Sequence, residues 1–437
     1  MADQKSVRAN MLPPGGATTT TEAGQGQALL PDTFTLKRMS EIFMERSEQN
    51  VIQLNKQVLT PGQVANFEVK NVGLGESLEL WIEGSVSLNN TLAGAQAVSV
   101  SHEFPFNTIQ NLNIQFNGQT VIDNLSGYEL LGVMAKRHKN LLLGGASSAG
   151  AKFAQNLARV DKAIAYVTAG ANVTLTAGNG LCGTTSFSIA ASSVGVLNFG
   201  MYVRLPFTLR KDLLLGLIPM QNNSVYCNVA LTSPLLLGAT AESPLFVTGG
   251  VPATLSMSAS AVDIYPHYWF WSIPVPNDPK LYSYLVSHSY MLLSQANNPQ
   301  TNTGAEALEY NMPNNYYLLS LLLSLRDSTG ALADVYTSLD NPYLNYNGTA
   351  RVDRSKIQPR IARQTIQYEG IPSNLGQLIW DATDIEYLPN GTNTSKWLNM
   401  YLANNPQFVA DVAAGFAVNG KFSVLREQLV PANVQIV

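Results

Sequence analysis

The chain is short of charge. Of its 437 residues only 13% are Asp, Glu, Lys or Arg, about half the share of roughly 25% usual in soluble domains. Hydrophobic residues still make up 46%, so the deficit is not that of a disordered polymer, and Asn, Gln, Ser, Thr and Gly fill the surface instead. A surface poor in Lys and Glu suits a free monomer badly, and the centres of protein interfaces are depleted in charge. The composition therefore points to a protein packed against copies of itself, with a merely neutral β-protein as the plainer alternative. Basic charge is not in excess either. The formal net charge is −4 and the isoelectric point about 5.6, which leaves no strong positive field to grip nucleic acid.

Cysteine and histidine are equally sparse. Cys182 and Cys227 are the only cysteines, both in apolar or Gly-rich surroundings. They read as buried thiols, with a single disulfide as the alternative. The four histidines, His102, His138, His267 and His288, form no His-x-x-x-His or Cys-x-x-Cys arrangement and read as structural rather than metal-binding. A Gly-rich phosphate loop ending in Gly-Lys-Ser/Thr is missing. The loop Gly145-Ala146-Ser147-Ser148-Ala149-Gly150 lacks the second glycine of a nucleophile elbow and follows no strand. Asp381, Asp384 and Glu386, beside Trp380 and Tyr387, form the best carboxylate cluster. Such a set can bind Ca²⁺ or hydrolyse glycosides, but its spacing matches no defined calcium loop, and a solvated turn is the simpler reading. No catalytic, cofactor-binding or metal-binding residues are assigned, and the chain is expected not to be an enzyme.

Long hydrophobic runs are absent too. The longest, Leu318 to Leu325, is interrupted by Ser320 and Ser324 and falls far short of the ~20 residues that cross a bilayer. Met1-Ala2-Asp3-Gln4-Lys5 lacks the apolar core of a signal peptide. The expectation is a protein made in a cytoplasm that stays soluble. Asn-x-Ser/Thr triplets, as at Asn89, Asn124, Asn172, Asn222, Asn347, Asn390 and Asn393, follow from composition and carry meaning only under secretion.

What is present is one kind of segment twice over. Leu112 to Phe116 alternates apolar and polar residues, turns at Asn117-Gly118 and resumes through Gln119-Thr120-Val121-Ile122. A helix-like stretch, Tyr128 to Lys139, follows. The Asn-Gly pair is the strongest hairpin signal in the chain, because both residues tolerate the positive φ of a type I′ turn. The second copy reads as a β-run from Tyr316 to Leu325, broken at Asp327-Ser328-Thr329-Gly330 and resuming around Ala333-Asp334-Val335-Tyr336. It leads to a helix-like stretch, Lys356 to Gln367, that contains Pro359.

Around these units the chain divides as follows. Residues 1–50 form an N-terminal arm, low in complexity to about 34 and then an amphipathic helix from Thr35 to Ser47 with Leu36, Met39, Ile42 and Phe43 at helical spacing. Residues 51–270 form a first β-domain, with a Gly/Ala-rich insertion near 141–200 that carries short strands at Asn172–Thr176 and Thr185–Ile189. Residues 271–280 form a Pro-rich junction, entered through the aromatic run Tyr265 to Trp271, whose side chains are expected to pack the seam between domains. Residues 281–437 form a second β-domain, with strand-like pieces at Leu281–Leu293, Ala307–Tyr310, Leu375–Trp380 and Phe416–Leu425. Many short strands, few helices and long loops indicate sandwiches or jelly rolls.

Four stretches carry a resemblance to a known family. They are Ser126-Gly127-Tyr128-Glu129-Leu130 with the basic helix end Lys136-Arg137-His138-Lys139; Met201 to Phe207 with Lys211-Asp212-Leu213, Gly216 and Gln221; Tyr316-Tyr317-Leu318 through Ser328-Thr329-Gly330-Ala331 to Asp334; and Gly420-Lys421-Phe422-Ser423 with Arg426-Glu427-Gln428-Leu429-Val430. In order and spacing, over most of residues 50 to 432, the chain resembles the major capsid protein of tectivirus-type, membrane-containing bacteriophages. That protein belongs to the double jelly-roll lineage that includes adenovirus hexon. The resemblance implies a mainly β fold of two eight-stranded jelly rolls in tandem, with a few short helices and long surface loops. It further implies a homotrimer that meets neighbouring trimers, minor capsid and vertex proteins, and an internal viral membrane through the N-terminal segment, in a virion assembled in the host cytoplasm. Sequence-specific contact with nucleic acid is not expected. The alternatives are a virion spike or lectin-like β-sandwich, supported by the insertion and by Asp381, and a glycan-cleaving enzyme on the same carboxylates.

Overall fold

The protein is described from a computed structural model. The description covers residues 47–60, 62–99, 104–137, 165–177, 184–207, 218–220, 224–231, 255–272, 291–302, 304, 307–328, 333, 335–351, 377–381, 398–412 and 418–431. The helix expected at Thr35–Ser47 (Ser47 apart), the insertion's first part to 164, most of the Pro-rich junction and the stretch Lys356–Gln367 lie outside these residues.

Alternating apolar and polar residues build strands with one buried face. The first half runs β1 (Gln49–Gln53), β2 (Gln57–Leu59), β3 (Val64–Val69), β4 (Leu74–Asn90), β5 (Gln96–Ser99), β6 (Ile109–Phe116) and β7 (Gln119–Leu125). Helix α1 (Gly127–Arg137) follows, then β8 (Ala165–Ala169), β9 (Val173–Ala177), β10 (Thr184–Ile189), β11 (Ser193–Pro206), β12 (Ile218–Pro219), β13 (Val225–Leu231) and β14 (Leu255–Trp271). The second half runs β15 (Met291–Thr301), β16 (Ala307–Asn311), β17 (Tyr317–Arg326), helix α2 (Val335–Ser338), β18 (Leu339–Tyr346), β19 (Thr349–Arg351), β20 (Gln377–Asp381), β21 (Leu398–Asn399), β22 (Gln407–Val412) and β23 (Lys421–Pro431).

The pairing is the same in both halves. In the first, one sheet has the order β1-β14-β4-β11, with β2 also on β14, and the other has the order β7-β6-β13-β3. In the second, one sheet reads β15-β23-β17-β20 and the other β19-β18-β22-β16. If β1 and β2 count as one interrupted strand, and β5, β8–β10, β12 and β21 as additions, each half visits eight strands. These pair as 1-8-3-6 and 2-7-4-5, which is a jelly roll. The expectation of two eight-stranded jelly rolls is met. The additions β5, β10 and β9 form a small sheet of their own, so the segment read as an insertion folds on strands near its expected ones.

The repeat is closer than the sequence reading placed it. Strands β6 and β18 are each 8 residues long, with burial alternating almost identically from Ile109 and from Leu339. Each ends at an Asn-Gly turn in the left-handed region, φ 46° and 77° at Asn117-Gly118 and 55° and 73° at Asn347-Gly348. The second hairpin is therefore β18–β19, and Val335 and Tyr336, expected to lie on a resuming strand, open α2. Two further corrections concern ends. The aromatic run Tyr265 to Trp271 is the end of strand β14, and the strand expected from Phe416 starts at Lys421, after Asn419 at φ 70°. We expect Asn117→Val and Asn347→Val each to cost about 1–3 kcal/mol, since a β-branched residue is strained at positive φ. Equilibrium urea unfolding checks this.

One hydrophobic core runs through both rolls, from Phe67, Leu80, Ile114 and Phe199 in the first to Tyr316, Leu323, Phe408 and Val424 in the second. Cys227 on β13 is a free, fully buried thiol, and burial pushes its pKa up from 9.0 to about 12. The unfolded thiol therefore loses its proton first. Its contribution to stability is complete below pH 9 and declines between pH 9 and 12. A thiol reagent at neutral pH is expected to label Cys227 only after denaturation, which mass spectrometry of the labelled peptides tests.

Candidate functional site

Of the carboxylates singled out by sequence, Asp381 closes β20 with its Cα opposite Ser320, while Asp384 and Glu386 lie outside the described residues. His267 sits on β14. His102, His138, His288, Cys182 and the loop 145–150 also fall outside. Among the described residues no group of three or more His, Cys, Asp and Glu is placed to hold a metal ion, and no helix is long and apolar enough to cross a membrane. The features that stand out are instead a seam between the rolls, a buried ionic knot and an open sheet face.

At the seam, β15 of the second roll runs parallel to β7 of the first, with Gln295 opposite Ile122 and Ala296 opposite Asp123. This joins the two sheets edge to edge. Helix α1, which the chain enters directly after β7, lies on the outward face of β17, β20 and β23. A Cβ on Gly132 would come within 2.7 Å of Leu322 Cδ2 and 3.0 Å of Gln377 Oε1, so a larger residue here would push these side-chain ends aside. Polar bonds cross the contact. Ser423 Oγ donates to Glu129 Oε1 at 2.8 Å, and Gln377 Nε2 to the Tyr128 carbonyl at 2.8 Å. On the same sheet face Ser320 Oγ donates to Glu427 Oε2 at 3.0 Å, and the Arg326 guanidinium sits 5.4 Å from the Tyr128 ring centre. Ser320, Ser324, Gln377, Ser423 and Glu427 are all buried, although they occupy the outward face of their own sheet.

The aromatic run at 265–271 does not form that seam. Tyr268 belongs to the core, stacks on Phe270 at 5.4 Å and donates its hydroxyl to the Val72 carbonyl. The reading that these side chains pack between domains gives way to one in which they finish strand β14 inside the first roll. Trp271 Nε1 donates to Glu76 Oε2 at 2.7 Å, and the same oxygen accepts from Gln49 Nε2 at 2.6 Å. The other oxygen of Glu76 accepts from Arg204 Nη2 at 2.7 Å. Glu76 is 1% exposed. This knot ties β1, β4, β11 and β14 at one end, and there Ser272 also bonds both backbone groups of Glu48. The sequence reading missed it. The available signal was a glutamate inside an apolar strand of a chain with few charges, because a buried carboxylate requires partners.

The outward face of β14-β4-β11 carries Trp81, Glu79, Glu83, Tyr202, Arg204, Tyr265, Asp263 and His267. Trp81 and Tyr202 lie 6.4 Å apart, Trp81 Nε1 donates to Glu83 Oε1, and Lys56 pairs with Asp263 at 2.7 Å while lying 4.9 Å over the Tyr265 ring. Burial and the bond to Glu79 raise the Tyr202 hydroxyl well above its ordinary pKa.

No family model matches the chain, and no curated protein matches it. Solved structures do. The major capsid protein of STIV, the Sulfolobus Turreted Icosahedral Virus, aligns with a TM-score of 0.54 at 14% identity, over 88% of this chain and 97% of that one. PBCV-1 VP54, fitted into a reconstruction of the virophage Sputnik, aligns with a TM-score of 0.51 at 10% identity, over 89% and 97%. The chain has the double jelly-roll fold that these proteins share.

Proposed function

We propose that this double jelly roll is a major capsid protein, which self-assembles into pseudo-hexagonal trimers that tile the icosahedral shell of a virus and carries no catalytic site. One observation carries the reading: two equivalent eight-stranded rolls stand side by side in one chain, sharing a continuous sheet, as a six-lobed unit made of three chains requires. The likeness to the STIV protein over nearly its whole length supports it, and so does the low charge of the sequence, since obligate contacts of this kind commonly bury roughly 2,000–5,000 Å². The proposed division is an arm at 1–50, a first roll at 51–270 decorated near 141–200, a junction at 271–280 and a second roll at 281–437. The arm faces the shell interior, toward neighbouring trimers and an internal membrane. Minor capsid and vertex proteins complete the shell, and the genome is not gripped directly. Assembly takes place in the host cytoplasm, and the mature protein resides in the virion.

Light scattering and electron microscopy of the purified protein test this. Trimers with six-fold-like outlines are expected, and a stable monomer of 47.2 kDa at micromolar concentration would refute the proposal. Deleting residues 1–34 is expected to leave trimers intact and to impair shell assembly; normal particles from that truncation would show the arm to be dispensable. The reading as a spike or lectin-like protein draws on the separate β5-β10-β9 sheet. Binding on a glycan array without self-association would favour it.

A further inference from the structure

An Asn-Gly pair is a chemically weak point in a chain, because glycine has no side chain to shield its nitrogen from the carboxamide before it. The sequence holds five such pairs, at 117–118, 179–180, 347–348, 390–391 and 419–420. Three of them, at Asn117, Asn347 and Asn419, lie among the described residues, and their asparagines all sit at positive φ, 46°, 55° and 70°. The dipeptide and the backbone region are thus matched. What separates the three is how each side chain is held.

Asn117 and Asn347 are pinned. Asn117 Oδ1 accepts from Ser224 N at 2.8 Å and from Ser224 Oγ at 3.4 Å. Asn347 Nδ2 donates to the Leu402 carbonyl at 3.1 Å, and its Oδ1 accepts from Asn404 N. Both turns are also closed by the last strand pair of their own hairpin, Phe116 with Gln119 and Tyr346 with Thr349. Asn419 is exposed, and its side chain makes no hydrogen bond among the described residues. The ladder begins only after it, with Lys421 opposite Thr301, and Val418 before it is 56% exposed.

We propose that Asn419 is a site of self-modification, where the chain deamidates through its own backbone in preference to Asn117 and Asn347. The Gly420 nitrogen attacks Asn419 Cγ and gives up its proton. The bond from Cγ to the side-chain nitrogen breaks, and ammonia leaves a five-membered imide. Water opens that ring at either carbonyl, yielding aspartate or isoaspartate, so one water is consumed for each ammonia released. Ring closure swings the carboxamide onto the following nitrogen. The bonds to Ser224, Leu402 and Asn404 oppose that swing at the other two turns.

The product matters because Asn302 clamps this turn. Asn419 N donates to the Asn302 carbonyl at 2.9 Å, and Asn302 N donates to the Gly420 carbonyl at 2.7 Å. Isoaspartate routes the main chain through Cβ and inserts one extra atom between these two bonds. Both cannot then be kept, and β23 loosens at its start, where it pairs with β15 and β17. Aspartate keeps the original path, adds only charge, and is tolerated at positive φ.

The test is peptide mapping by mass spectrometry of full-length protein held in mildly alkaline buffer, with aspartate and isoaspartate peptides separated by chromatography. Asn419 should deamidate at least about tenfold faster than Asn117 or Asn347, and the three rates should converge in urea-unfolded protein. A folded-state rate at Asn419 no higher than at the other two would overturn the site, and so would a difference that persists in urea. The isoaspartate form should unfold at a lower urea midpoint than the parent, while Asn419→Asp should match the parent. Coincident midpoints for the isoaspartate form and the parent would overturn the loosening of β23.

Discussion

Gly127→Ala is expected to cost about 3 kcal/mol or more, a large part of the roughly 5–15 kcal/mol by which a typical domain is stable. The cause is space rather than conformation. A Cβ at this position would stand 1.7 Å from the Phe106 carbonyl oxygen, 2.5 Å from its carbonyl carbon and 3.2 Å from the Ile109 oxygen. All three are backbone atoms, so no rotamer change relieves the clash. Either α1 must shift from its start or the short 3-10 turn Phe106–Thr108, which is wholly buried, must open. Either movement reaches the seam, because α1 carries Glu129 and Gly132 onto the second roll. Gly94→Ala is the control, since nothing lies within 4 Å of its added Cβ. Urea unfolding of the two variants beside the parent decides the matter, and equal midpoints for all three would contradict the packing described.

Glu76→Ala is expected to destabilise the first roll by about 3–5 kcal/mol, the range for removing one partner of a buried ion pair. The substitution strands three donors at once. Arg204 keeps 27% of its side chain in solvent and recovers part of its hydration, and it retains a longer contact to Glu79 at 3.5 Å. Trp271 is buried, whereas Gln49 is exposed and regains water. Glu76→Gln should lose less, because one acceptor oxygen remains although the charge is gone. A loss for Glu76→Ala below about 1 kcal/mol would mean that the knot behaves as an exposed ion pair. Loosening should begin at β1 and the end of β14, so amide exchange at Val51 and Trp269 should accelerate before exchange at Leu78 and Ile264.

How far the fold can be read from sequence depended on where proline and asparagine fall. Asn117-Gly118 was legible because clean alternation flanks it. Asn347-Gly348 makes the same turn but is not legible as one, since Asp340-Asn341-Pro342 interrupts the alternation before it. The structure absorbs that interruption in an irregularity of register between Asp340 and Tyr343, a device that lets a strand carry a residue unfit for the ladder. Pro266 is tolerated for a related reason. It lies in β14 opposite the gap between β1 and β2, and its carbonyl accepts from Leu54 N there. Its missing N–H therefore costs no ladder bond. The alternation of β3 and β6 and the helix after Gly127 were visible because local periodicity determines them. The seam was not, because Gly132 meeting Leu322 and Ser423 meeting Glu129 are contacts between residues far apart in the chain, with no local pattern to announce them.

The pairing of β1 with β14 sets the order in which this protein can fold as it is synthesised. Gln49 finds its partner only in Trp271, and β4 is covered along its 17 residues by β14. Until the ribosome has delivered residue 271, β4 waits with one edge open, and strands in that state are the sticky species of slow β folding. The second roll has the shorter wait, since β15 to β23 span about 140 residues. Chains released early, with β4 made and β14 missing, are thus the fragments most prone to aggregate. Slow translation should therefore be tolerated least between residues 90 and 255.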